Sequence, residues 1–175
     1  MRLTRLAAVA ATAGVVGWAV WSSTTAGTES DLGGEPRRKM AIVVRVVDGD
    51  TLLVRTGGAE ERVRVLGIDT PEVAHQGEPG KCFGDRATAA MRALVPADTR
   101  VALVSDPTQA DRDVYERLLR YVELRDPAVT DVGRELILAG AAEVYDSDPP
   151  STRQEEYGEL QASAERSHRG RWGAC

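Results

Sequence analysis

The sequence predicts an α+β fold, mainly β: a small barrel of five strands carrying three helices. Short runs rich in Val, Ile and Leu alternate with turn signals such as Asp48-Gly49-Asp50 and Gly57-Gly58. Three later segments repeat apolar residues at helical spacing. The resulting order, βββ-α-ββ-α-α, places a meander first and the helices late, as a small barrel with crossing helices requires.

Each element has its own signal. Ala41 to Val47 is Val, Ile and Ala apart from Arg45, and Thr51 to Arg55 continues after the Asp-Gly turn. Glu61 to Ile68 forms the third strand, with Val63, Val65 and Gly67 alternating with Arg62, Arg64 and Leu66. Gly84 to Val95 reads as a helix, since Phe83, Ala87, Ala90, Met91 and Leu94 recur near 3.6-residue spacing before Pro96. Strands at Arg100 to Ser105 and Arg117 to Leu124 follow. A second helix spans Asp131 to Ala139 with Val132, Leu136 and Ile137 inward and Gly140 as its stop signal. The third follows Pro149-Pro150, with Thr152 and Glu155 as a capping box, Tyr157, Leu160 and Ala164 as its apolar stripe, and Gly170 ending it.

A length of 175 residues fits one domain, and 42% hydrophobic with 28% charged residues excludes disordered, collagen-like and multi-span membrane classes. With one Phe, three Trp and four Tyr, the core must be mostly Val, Leu, Ile and Ala. Lys and Arg number 22 against 27 Asp and Glu, a net charge of −5, which excludes a polycation that holds nucleic acid by charge alone. All the basic residues except Lys39 and Lys81 are Arg. That reflects either a coding bias or a use for the bidentate guanidinium in phosphate or carboxylate recognition.

The N-terminus is a separate object. Arg2 and Arg5 precede an uncharged run from Leu6 to Trp21 and then the small polar stretch Ser22 to Gly27, the pattern of a secretory signal. The run is about 24 Å long as a helix, short of a hydrocarbon core of roughly 30 Å. Cleavage after Ala26 is one reading; an uncleaved anchor with Trp18 and Trp21 at the interface is the other. Either way residues 40–175 are expected outside the cell, secreted or held at its surface, behind a flexible linker at 27–39 that is rich in Gly, Ser, Thr, Glu, Pro and Arg. Cleavage removes Arg2 and Arg5 and no acid, so the charge moves from −5 to −7. Cys82 and Cys175 are the only cysteines. They are two free thiols or one disulfide, and export favours the bridge.

Two acidic clusters flank an arginine: Asp48-Gly49-Asp50-Thr51, then Arg64, then Asp69-Thr70-Pro71-Glu72. Singly they are ordinary turn and surface chemistry. Jointly they matter, because a meander returns the end of its third strand toward the first turn and would bring Asp50, Asp69 and Glu72 together. Three carboxylates with a Thr oxygen make a hard, oxygen-only set suited to Ca²⁺ or Mg²⁺, and nearby arginines would suit a phosphate diester. His75 and His168 are isolated, so no zinc ligand set is present.

At this point the chain resembles the staphylococcal nuclease (thermonuclease) family from about Ala41 to Trp172. The resemblance rests on Val47 to Thr51, on Arg64-Val65-Leu66-Gly67-Ile68-Asp69-Thr70-Pro71-Glu72, on Asp113-Val114-Tyr115-Glu116-Arg117, on the Phe83-Gly84 helix start and on the terminal Gly170-Arg171-Trp172. It implies an OB-fold, a five-stranded barrel with three helices, and Ca²⁺-dependent hydrolysis of DNA and RNA by a monomer with no obligate protein partner. It further implies that Asp50 and Asp69 bind calcium through carboxylates and Thr70 through its carbonyl, and that Glu72 orients or deprotonates the attacking water. Arg64 and Arg117 would bridge the phosphate, Tyr115 would contact phosphate or base, and products would carry 3′ phosphates.

Tyr145, after the second helix, is either a base-stacking partner or a rim or core tyrosine. The chain departs from the family at Glu116, where Gly is frequent, and at Val114, where Lys is frequent. Both changes bear on substrate affinity more than on chemistry. A catalytically silent OB-fold module that binds nucleic acid or protein is the alternative, but such a module has no need of Asp50, Arg64, Asp69, Glu72 and Arg117 together.

Overall fold

A computed structural model describes residues 35–75, 77–125 and 130–175. The expected leader (1–26) and most of the expected linker (27–39) lie outside them. Among the described residues no helix is long and apolar enough to cross a membrane.

The chain runs β1 (Arg38–Val46), β2 (Thr51–Thr56), β3 (Ala59–Val65) and a two-residue β4 (Ile68–Asp69) into α1 (Gly84–Leu94). Then come β5 (Arg100–Val104), β6 (Leu118–Leu124), β7 (Thr130–Asp131), α2 (Val132–Leu138), β8 (Glu143–Val144), α3 (Gln154–Arg166) and a single-turn α4 (Arg171–Ala174). Five strands in the order β3-β2-β1-β5-β6 close into a barrel through a parallel pairing of β3 with β6. β1 makes closure feasible: its first half pairs with β5 and its second with β2, with a register shift between Val43 and Arg45. Such a bulge bends a strand and strengthens its twist. Alternation then sends Val43, Leu52, Val54, Val63, Val65, Val101, Leu103 and Val122 to the interior, each at most 1% exposed. Among the described residues the fully buried aromatic rings are Tyr121 and Tyr157, which meet edge to face with centroids 6.2 Å apart.

The structure departs from the sequence expectations in the bounds and ends of several elements and adds the two-residue strands β7 and β8. β1 starts at Arg38, three residues before the expected Ala41, and the Arg37 N–H already donates to Ser105 Oγ at 2.9 Å. The third strand breaks at Leu66-Gly67, because Gly67 at φ +75° turns the chain and β4 pairs with β8 instead of extending the barrel. The Thr152–Glu155 capping box does not form. Both the N–H and the hydroxyl of Thr152 donate to Asp106 Oδ2 (2.7 and 2.9 Å), a carboxylate acceptor stronger than the helix end offers, and α3 starts at Gln154. Finally, Gly170 does not end α3, which stops at Arg166 with Ser167 as its C-cap; it stands instead at the N-cap of α4.

Cys82 and Cys175 are joined, with Cα atoms 6.0 Å apart. The bridge ties the start of α1 to the C-terminus across a sequence separation of 93 residues. On the chain-entropy account a loop of that size contributes about 4 to 5 kcal/mol. Reduction should therefore lower the melting temperature, and superimposable melting curves with and without reductant would refute this contribution.

Candidate active site

The site begins with a turn. Asp48 Oδ1 accepts the Asp50 N–H at 3.1 Å, and the Val47 N–H donates to the Thr51 carbonyl at 2.9 Å. Gly49 between them is required by space: a Cβ there would stand 2.5 Å from Thr70 Oγ1. That close approach lets Asp50 hold the far segment, since its Oδ2 accepts both the N–H (3.1 Å) and the hydroxyl (2.9 Å) of Thr70. Thr51 Oγ1 donates to Asp50 Oδ1 at 3.0 Å.

Arg64 on β3 reaches into the same knot. Its Nη1 pairs with Asp50 Oδ2 at 3.0 Å and donates to the Ile68 carbonyl at 2.8 Å, while Nη2 donates to Asp69 Oδ1 at 2.7 Å. The reversal at Gly67 brings Asp69 back beside Arg64. Burial pushes the Asp50 carboxyl above its ordinary value of 3.8, against the opposing effect of the Arg64 charge.

The second pole is the turn from Asp113 to Arg117. Asp113 Oδ1 accepts the N–H groups of Tyr115 and Arg117, both at 2.9 Å, and its Oδ2 accepts Arg117 Nε at 2.6 Å. Burial works against this carboxylate, but the Arg117 and Tyr115 donors outweigh it and hold Asp113 below the usual range. Glu116 sits at φ +63°, in the left-handed region, which is the physical reason that glycine suits this position. Arg117 Nη1 lies 3.4 Å from Thr51 Oγ1, so a polar chain runs from Asp113 through Arg117, Thr51 and Asp50 to Arg64 and Asp69. The Tyr115 ring is 75% exposed, with the Arg117 guanidinium carbon 5.4 Å from its centroid.

Arg64, Arg117, Tyr115 and Tyr145 all line one open groove of about 620 Å³. Tyr145 is held there by its N–H, which donates to the Gly67 carbonyl at 3.0 Å, and it is 53% exposed, so it is a rim residue and not a core one. Asp50, Asp69 and Thr70 stand together behind Arg64. Glu72 is exposed, and its backbone carbonyl accepts the Lys81 N–H at 2.8 Å. Among the described residues no three Asp, Glu, His or Cys side chains form a group that could hold a metal by themselves. Asp50, Asp69 and Glu72 thus do not form a ready three-carboxylate cluster among the described residues. Arg64 lies between the first two carboxylates, and Glu72 is exposed on the segment after β4.

The donor chemistry nevertheless fits a hard divalent cation. Asp50 and Asp69 present two acids to one shared guanidinium, leaving a negative charge over, and every candidate ligand atom, including the Thr70 carbonyl, is oxygen. Sequence reasoning missed two residues, Asp113 and Thr51, as the holders of Arg117. Their signal was present: an acid four residues before Arg117, and a hydroxyl directly after Asp50.

A sequence profile described as staphylococcal nuclease homologue matches residues 62–174. The chain belongs to the staphylococcal nuclease family. A thermonuclease of Staphylococcus intermedius is 37% identical over 90 residues, covering 51% of this chain and 52% of that protein. The chain thus spans about half the length of that relative. A thermonuclease of Staphylococcus hyicus is 29% identical over 130 residues, covering 74% and 73%. A protein described as an uncharacterized endonuclease of Escherichia coli O157:H7 is 33% identical over 133 residues, covering 74% of each. These relatives carry the names of nucleases, and the five-stranded barrel with its three main helices is the OB-fold of the family. Asp50 lies before the profile match begins and enters the site through its bonds to Thr70 and Arg64.

Proposed function

We propose that the chain is a Ca²⁺-dependent nuclease that hydrolyses phosphodiester bonds of DNA and RNA outside the cell, secreted or held at the surface by an uncleaved N-terminal segment. The observation that carries this reading is that two guanidiniums from separate elements, Arg64 on β3 and Arg117 just after the Asp113 turn, line one groove and are joined through Thr51 and Asp50. Neutral hydroxyls or lysines would not offer the fork that matches two phosphate oxygens.

Asp50, Asp69 and the Thr70 carbonyl would hold the cation. When bound, it supplies charge neutralisation at a phosphate oxygen. Arg117, fixed at Nε by Asp113 and touched at Nη1 only by Thr51 at 3.4 Å, keeps Nη2 for a non-bridging oxygen and stabilises the charge that grows in the transition state. Arg64, whose Nη1 is taken by Asp50 and the Ile68 carbonyl and whose Nη2 pairs with Asp69, adds its positive charge from β3. Exposed Glu72 accepts a proton from the attacking water as the new O–P bond forms. The bond to the 5′ oxygen breaks, and the leaving oxygen takes a proton from solvent. Tyr115 and Tyr145, exposed at the rim, offer faces for bases.

Plasmid cleavage by the full-length chain tests the reading. Nicking should require Ca²⁺, stop with chelator, and fall by about 10²-fold or more in Glu72→Gln, since a carboxamide cannot take the proton. Equal cleavage in all three conditions would sink the mechanism, and binding without cleavage would leave the silent OB-fold module in its place.

A further inference from the structure

The charged side chains assigned to the reaction hold one another, with one exception among the described residues. Asp50 and Asp69 pair with Arg64, and Asp113 pairs with Arg117. The exposed Glu72 carboxylate makes no hydrogen bond or ion pair among the described residues. Where that carboxylate stands is therefore set by the backbone that carries it.

That backbone is held from the entry of α1. The Glu72 carbonyl accepts the Lys81 N–H at 2.8 Å, and the Lys81 carbonyl accepts the Gly84 N–H at 3.1 Å. α1 enters so close to this segment that a Cβ on Gly84 would stand 2.5 Å from the Glu72 carbonyl oxygen. Cys82 lies between these contacts, and its disulfide to Cys175 carries the hold to residues 170–175. Those residues are tied in turn to the strand beside Asp69. The Arg171 N–H donates to the Gly140 carbonyl at 2.9 Å, and Arg171 Nη1 pairs with Glu143 Oε2 at 2.8 Å. Glu143 is the partner of Asp69 across β8 and β4. A ring of ties thus runs from Asp69 through Glu143, Arg171 and the disulfide to Lys81 and Glu72, back on the segment where it began.

We propose that the Cys82–Cys175 disulfide is a positioning element for catalysis: it clamps the entry of α1, holds the Glu72 carboxylate in place for the attacking water, and makes turnover sensitive to a dithiol reductant. The proposal rests on the reading of Glu72 as the proton acceptor. Both cysteines are exposed, and an open pocket of about 360 Å³ is lined by Cys82 and Ala174, so a small thiolate reaches the sulfurs without unfolding the barrel. The thiolate attacks one sulfur and forms a mixed disulfide as the S–S bond breaks, and the reagent's second thiolate displaces the other protein sulfur. The protein gains two electrons and the two protons released by the dithiol, as two thiols, and the reagent leaves as its own disulfide. Once Cys82 is free, the Lys81 hydrogen bond and the packing of Gly84 are all that hold Glu72. A misplacement of about 1 Å costs a catalytic group on the order of 10²-fold, so a partial loosening suffices to show in the rate.

The test is steady-state cleavage of DNA in Ca²⁺ by the full-length chain, oxidised and after dithiothreitol, beside a Cys82→Ser, Cys175→Ser double variant and Glu72→Gln. All assays run below the lowest melting midpoint of the set, so that lost stability does not enter the rate. Reduction should lower kcat by about tenfold with KM nearly unchanged. The double variant should show the lowered kcat with and without dithiothreitol. In Glu72→Gln no base remains to be misplaced, so reduction should leave its residual kcat unchanged. Equal kcat before and after reduction would overturn the proposal, as would a loss confined to KM. The same loss in Glu72→Gln would also overturn it, by making the bridge a brace of the fold at large. A second arm needs neither metal nor turnover: in chelator, backbone order parameters at Glu72 and Lys81 should fall from about 0.85 toward about 0.6 on reduction while those of β2 stay high. Unchanged order at both residues would overturn the proposal even in a chain that cleaves. A fall in order with no cleavage by the oxidised chain would instead overturn the nuclease reading, and the catalytic role of the bridge with it.

Discussion

Arg117→Ala should lower kcat on DNA by about 10³-fold or more, with a smaller change in KM and almost none in melting temperature. The size follows from what is removed: a charged fork aimed at developing charge is worth more than one neutral donor, whose loss costs about 10²- to 10³-fold. The fold is insulated because Asp113 keeps the backbone N–H groups of Tyr115 and Arg117 after the guanidinium has gone, so the turn persists. Arg117→Lys should recover little, since a point charge cannot reproduce the bond from Nε to Asp113 and the two remaining donors. Asp113→Asn should lower kcat by about tenfold through loss of aim rather than of charge. Steady-state kinetics beside melting curves check the set. A kcat loss in Arg117→Ala that tracks a fall in melting temperature would make the residue structural.

Arg153→Leu should destabilise the fold by about 3 kcal/mol or more, lowering the melting temperature by about 10 °C. Arg153 is the hub of a largely buried network. It donates to Glu123 Oε1 at 2.7 Å, pairs with Asp131, and stacks over Tyr121 with its guanidinium carbon 4.1 Å from the ring centroid. Glu123 and Asp131 have side chains only 4% and 11% exposed, so losing their cation strands charge away from water. By contrast the Arg55–Glu60 pair on the barrel surface, 58% and 50% exposed, should change stability by less than about 1 kcal/mol when broken.

The same network sets an acid limit. Burial alone would raise Glu123, but the hydrogen bonds of Arg153 and Arg38 outweigh it and hold the carboxyl below its ordinary 4.5. Asp106 is likewise held below 3.8, where burial is outweighed by donors from Tyr121, Thr108 and Thr152. Both groups release protons more readily when folded, so their contributions are complete above the ordinary values and are lost as pH falls below them. Urea midpoints should therefore drop between about pH 5 and pH 3. The drop should be shallower in Arg153→Leu, where Glu123 has lost its main partner. Equal slopes in the two proteins would disprove this assignment.

Much of this molecule was legible as local pattern. The alternation in Val63 and Val65, the helical spacing of Ala87, Met91 and Leu94, and the Asp131 start of α2 depend on residues within one or two turns of each other. Asp131 Oδ1 does accept the Gly133 and Arg134 N–H groups that a helix start leaves open. The capping box at Thr152 was misread for the complementary reason: its competitor, Asp106, is 46 residues away in the chain. The tie from the Lys81 N–H to the Glu72 carbonyl, which holds the segment after β4, is another contact that the contiguous motif around Asp69 does not show.

By itself, then, the sequence determined the elements, the family and the residue types of the site, since these are encoded in short-range periodicity and contiguous motifs. Only the tertiary structure decided which of those residues meet. Closing the barrel through β3 and β6 sets Arg64 opposite Leu119, directly after the turn that carries Arg117, and places Thr51 across β2 from Arg64. Gly49 then lets Thr70 close on Asp50, twenty residues earlier. Contacts between such distant residues depend on strand register and barrel closure, which no local window of sequence contains.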